Sequence, residues 1–63
     1  MIDNKIQYYR ERREMTKSDL SKATGFTVDS LSRWERCVSD PPVFAAICLA
    51  KFFGTTVEEL FSP

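Results

Sequence analysis

GFTVDSLSRWERC, residues 25–37, is the stretch on which the fold turns. Val28, Leu31 and Trp34 recur every three residues, the spacing of one helical face, which turns Asp29, Ser30, Ser32 and Arg33 outward or to its margins. Thr27 stands where a helix over residues 28–36 needs an N-cap, its hydroxyl placed to accept from a first-turn N–H. Gly25 is the residue type that closes a helix in the left-handed conformation, so a preceding helix should end there. Thr16 followed three residues later by Asp19 resembles a capping box with a shortened acid. That helix then runs over residues 17–24, with Leu20 and Ala23 inward.

Three more helices punctuate the rest of the chain. Asp3 is placed to cap residues 4–14, where Ile2, Ile6 and Tyr9, with Met15 beyond, form an apolar stripe opposite a solvated RERRE face. In VSDPP, Asp40 before Pro41 reads as an N-cap with proline in the first turn. A fourth helix follows over about residues 42–53 and ends at Gly54. Thr56 with Glu59 is a full capping box for a short helix over residues 57–61. No strand pattern, repeat or linker is visible, so the expected fold is all-α, five helices in one domain over residues 1–63.

A chain of 63 residues hides only about 60% of the surface that its unfolded form exposes, so the core must be small and local. No apolar run approaches the roughly 18 residues of a membrane span, and the N-terminus lacks the order of a signal peptide. A cytoplasmic protein with no membrane partner is expected. Cys37 and Cys48, in a chain without histidine, make neither a CxxC pair nor a usual zinc set and read as reduced thiols with packing roles. There is no Gly-rich phosphate loop and no nucleophile beside a recognisable base, so no enzyme, metal or cofactor is expected. Zero net charge is unlike the basic footprint of many nucleic-acid binders. The distribution is less even: residues 1–36 hold eight Lys or Arg against six Asp or Glu, and residues 37–63 hold one against three. A polyanion would meet the first half.

Two short helices joined at a glycine turn, the second polar on its outer face, have the geometry of a helix-turn-helix. Its second helix fits a DNA major groove about 12 Å wide. The residues alone leave this and an ordinary small helical bundle both open. With NKIQYYRERREMT, TKSDLSKATGFT, SLSRWE, DPP and LAKFFGTTVEELF taken in order, the chain resembles the phage repressor and Cro-like (XRE-like) helix-turn-helix family over nearly its whole length. The resemblance implies a lambda-repressor-like fold in which Leu20, Phe26, Leu31 and Trp34 pack the two helices and Ser21 permits their close approach. It implies an Arg10–Glu35 pair bracing the first helix against the recognition helix, with a phosphate contact by Arg10 as a secondary role. Lys17 matches a position that contacts the DNA backbone, and Thr27 combines capping with a phosphate contact. Val28, Asp29, Ser30 and Arg33 match positions that meet base edges. By groove chemistry Arg33 suits guanine O6 and N7, Val28 a thymine methyl, and Asp29 either a cytosine amine or repulsion of misplaced phosphates.

Two departures from the family pattern matter. Where the family carries a glycine and a cation after the recognition helix, this chain has Cys37, Val38 and Ser39. Either Cys37 takes the left-handed conformation at a cost on the order of 1 kcal/mol, or the loop follows another course. In the fourth helix Val43, Ala46, Ile47, Ala50 and Phe53 match core sites, yet Phe44, Cys48 and Phe52 match sites that are usually polar. A helix apolar all round needs a second partner. The expectation is a homodimer seam formed by Phe44, Cys48, Phe52 and Phe61, with Phe52 and Phe61 alternatively completing the monomer core. The leading function is a small Cro- or repressor-like regulator that binds double-stranded DNA as a dimer on a palindromic operator, with no small-molecule ligand. The alternative is a protein-interaction module of the same fold, antitoxin-like or bound to a larger regulator, with DNA affinity weakened or lost.

Overall fold

The computed structural model describes residues 4–62 and places five α-helices and no strand among them: α1 (Ile6–Arg12), α2 (Lys17–Thr24), α3 (Val28–Glu35), α4 (Val43–Phe53) and α5 (Val57–Leu60). Three helices start on threonine caps. The Thr16 hydroxyl accepts from the Asp19 N–H at 3.0 Å while the Asp19 carboxylate accepts from the Thr16 N–H at 3.0 Å, the reciprocal box expected for α2. Thr27 accepts from the Ser30 N–H at 3.1 Å and Thr56 from the Glu59 N–H at 3.1 Å. Glu59, expected to complete its own box, instead lies 3.7 Å from the Lys5 ammonium.

Two starts differ from the sequence reading. The side chain of Asn4 accepts from the Ile6 N–H at 3.1 Å, so α1 begins later than residue 4; the expected cap Asp3 and the stripe residue Ile2 lie outside the described residues. α4 begins at Val43, and its N-cap is Pro42 in extended conformation rather than Asp40. A residue before proline is pushed toward extended backbone, and DPP makes two such residues in a row, which delays the first helical turn.

Three helix ends, those of α1, α3 and α4, share one device. Met15 N–H bonds to Arg10 O at 3.2 Å around Glu14 at φ +55°, and Val38 N–H bonds to Arg33 O at 2.9 Å around Cys37 at φ +58°. Thr55 N–H bonds to Ala50 O at 2.9 Å around Gly54 at φ +71°. All three are Schellman closures on a left-handed residue. Of the two courses open to the loop after α3, Cys37 therefore takes the strained one, which for a residue with a Cβ costs on the order of 1 kcal/mol.

Ile6, Leu20, Leu31, Leu49 and Leu60 are fully buried, one from each helix, and Trp34, Ala45, Ala50 and Phe53 close the core around them. Tyr9 stacks on Phe53 with ring centroids 5.7 Å apart. Ala23, expected inward, is exposed. α4 is rotated from the expected orientation: Ala45, Ala46, Leu49, Ala50 and Phe53 face inward, whereas Val43 is 76% exposed and Ile47 40%. Small Ala45 and Ala50 let α4 lie close to its neighbours, and the larger β-branched side chains are left on the outside. Cys48 is exposed, so a packing role is not available to it; Cys37 is half-buried, and neither is disulfide-bonded.

Candidate nucleic-acid interface

α3 is anchored on three sides, and the anchors decide what its outer face presents. Leu31 and Trp34 sink into the core, and Phe26 meets Trp34 edge-to-face at 5.3 Å, fixing the turn against the helix. The Ser21 hydroxyl donates to Phe26 O, so the small residue that lets α2 approach also holds the turn's backbone. Gly25 at φ +87° makes that turn possible, with its N–H on Ser21 O at 2.8 Å. From α1, Arg10 Nε donates to Glu35 at 2.8 Å and Nη2 to the other Glu35 oxygen at 3.2 Å, while Nη1 donates to Met15 O at 2.7 Å. Both side chains of this pair are nearly buried, 11% and 2% exposed. Hydrogen bonding to Glu35 holds the Arg10 guanidinium above its usual pKa. Each nitrogen of that guanidinium donates to the protein's own body. Those bonds favour the bracing role of Arg10 over the phosphate contact also implied for it.

A further tie has no counterpart in the sequence reading. Asn4 Nδ2 donates to Trp34 O at 2.8 Å and lies 3.8 Å from Cys37 Sγ, while its Oδ1 serves α1. One amide thus links the start of α1 to the end of α3. Only the N-K-I spelling of an amide ahead of the stripe hinted at it, and a thirty-residue separation hid its partner.

With the body so held, the outer face of α3 carries Val28, 42% exposed, together with Asp29 and Arg33, whose side chains are 78% and 60% exposed. Arg33 Nε lies 3.3 Å from Asp29 Oδ2, one helical turn away. Ser30 is half-buried, and its Oγ accepts from the Thr27 hydroxyl at 3.0 Å, so it belongs as much to the cap as to the face. Lys17 stands at the first position of α2, half-buried, directly after the Thr16 capping box. Thr27 is exposed. Arg36, at the C-cap of α3, is an exposed cation next to the uncharged Cys37–Val38–Ser39 run and was not singled out from the sequence. Of the expected base-facing residues, Val28, Asp29 and Arg33 are thus exposed on α3, while Ser30 is half-buried.

The expected seam is redrawn. Phe44 is 64% exposed and Cys48 is exposed, but Phe52 lies against Phe53 at 5.3 Å with the Arg13 guanidinium 5.1 Å above its ring. Phe52 therefore completes the edge of the monomer core, as the sequence left open. Phe61 is half-buried against the core and, with Pro41, Val43, Ile47 and Val57, lines an apolar groove beside α4.

Two short helices packed at a left-handed glycine, with the second held by its neighbours and polar outside, define a helix-turn-helix protein. The helix-turn-helix family matches this chain over residues 6–60, and the chain belongs to that family. It is 36% identical over 60 residues to an uncharacterized HTH-type transcriptional regulator of Methanocaldococcus jannaschii, covering 95% of this chain and 91% of that protein. It is 28% identical over 61 residues to the HTH-type transcriptional activator BcrR of Enterococcus faecalis, covering 97% of this chain and 30% of that protein. Membership points to DNA binding and transcription regulation rather than enzymatic chemistry. Among the described residues no helix is long and apolar enough to cross a membrane.

Proposed function

We propose that the chain is a cytoplasmic, sequence-specific regulator of transcription that binds DNA through the outer face of α3 as a dimer on a palindromic operator. The observation that carries this reading is the joint exposure of Val28, Asp29 and Arg33 on a helix fixed by Arg10, Glu35 and Asn4. A rigid helix presents its side chains to base edges without first having to be ordered. Lys17 and Thr27, at the N-termini of α2 and α3, take backbone phosphates, where helix dipoles already favour anions. Ser30 is a minor contributor.

Dimerisation is supported by the exposed row Val43, Phe44 and Ile47 on α4, continuous with the groove that reaches Phe61, with Cys48 on its margin. Lys51 is the one charged residue within α4, and the chain has no net charge, so self-association of this face meets little repulsion. Two copies place two recognition helices about 34 Å apart, matching half-sites one turn apart. The contrary reading, a partner-binding module of the same fold, draws on the same apolar row and on the zero net charge.

Binding to duplex DNA from upstream of the protein's own gene, titrated against salt, tests the proposal. The expected result is tighter binding than to scrambled duplex and a steep loss of affinity as salt rises. Equal affinity for all duplexes, or none at about 100 mM salt, supports the partner-binding module instead.

A further inference from the structure

An acid on the face of a recognition helix has to be reconciled with a polyanionic ligand, and the position of Asp29 does so. Its carboxylate lies one turn ahead of Arg33, with Oδ2 3.3 Å from Nε, and both side chains stand out in solvent. Helical side chains lean toward the N-terminus, and an acid four residues ahead of a base is the favourable order for such a pair. Arg33 belongs to the last turn of α3, whereas base edges are met first by the N-terminal turn. The pair draws the guanidinium forward to that turn.

We propose that Asp29 is a positioning residue for Arg33. It holds the Nε side of the guanidinium, so that the two Nη groups are presented together to the O6 and N7 of one guanine in each half-site. This rests on α3 being the DNA-reading helix. A guanine edge offers two acceptors and needs two donors in one plane, and a guanidinium held at Nε still has both Nη groups free to supply them. The carboxylate meanwhile carries its charge paired, which lowers its repulsion of neighbouring phosphates. Exposed, the pair is weak; inside a groove from which water has been displaced it strengthens.

The test is a set of sites selected from random duplexes by the wild type, followed by affinities for every single base-pair change. These are measured with Arg33→Ala, Asp29→Ala, Asp29→Asn and the Arg33→Ala/Asp29→Ala double variant, with thermal melting to show that each is folded. Arg33→Ala should lose about tenfold or more of the preference for one G·C pair per half-site. Asp29→Ala should lose severalfold at that same pair, Asp29→Asn should recover part of it, and the double variant should lose no more than Arg33→Ala alone. If Asp29→Ala alters a different base pair and its effect adds to that of Arg33→Ala, Asp29 reads a base itself and the proposal fails. Asp29→Ala binding all duplexes more tightly and alike would reduce Asp29 to a phosphate repeller, and no change at all would leave it without a role; either overturns the proposal. A wild type that selects no site overturns the reading of α3 itself, which a selecting wild type with an indifferent Asp29 does not.

Discussion

α3 turns Asp29 and Arg33 to solvent, while α4, packed on the same core, turns out Val43, Phe44 and Ile47. α3 is capped by a side chain and tied by Arg10, Glu35 and Asn4; α4 has no side-chain cap and is held by its buried alanines, Leu49 and Phe53. Polar groups that must be presented at fixed positions are braced by directional bonds. An apolar row needs only to be exposed, because association through it is non-directional. On the reading proposed above, the two faces take different partners: a polar, charged one for α3, and a second copy of the chain for α4.

The brace is where the contrast breaks most sharply. Glu35→Ala leaves the Arg10 charge nearly buried without its carboxylate and should cost about 3–5 kcal/mol, much of the stability of so small a chain. Thermal or urea unfolding reads it, and a loss under about 1 kcal/mol would show the pair to be incidental. On α4, Phe44→Asp should abolish dimers in sedimentation while changing monomer stability by only about 0.5 kcal/mol, as expected of an exposed site. A wild type that stays monomeric at high concentration removes the seam.

The two helices also differ in how far the sequence disclosed them. α2 and α3 were legible because Thr16 with Asp19, Gly25 and Thr27 are local signals, each acting within a few residues of itself. The register of α4 was not. Its residues are apolar on every side, so periodicity does not orient it, and the choice of Ala45 and Leu49 over Val43 and Ile47 is made by close packing. The Arg10–Glu35 pair was reached through family resemblance, and the Asn4 tie was missed, since contacts across 25 and 30 residues leave no local trace. Phe52 stayed open between seam and core because its contact with Arg13 is settled only once α1 and α4 are docked.

Smaller effects sharpen the same comparison at the ends of the reading helices. Cys37→Gly relieves the left-handed strain at φ +58° and should stabilise the fold by about 0.5–1 kcal/mol in thermal unfolding, without altering DNA preference. Destabilisation would show that the thiol's contact with Asn4 outweighs the strain. At the start of α2, the Thr16 N–H and then its hydroxyl hold the Asp19 carboxyl below the usual carboxylate range. A depressed folded pKa contributes stability that is present above the unfolded value of about 3.9 and lost as pH falls through the folded one. Asp19→Asn should therefore flatten the acid limb of melting temperature against pH; an unchanged limb would show that the box does not titrate.

Hydroxyl-radical footprinting of the protein on a duplex it has selected tests the division of labour between the two helices most directly. Two protected patches with centres about 10 base pairs apart, lost together in Phe44→Asp at the same protein concentration, are the predicted result. A single protected patch unaffected by Phe44→Asp, or uniform protection along the duplex, would contradict it.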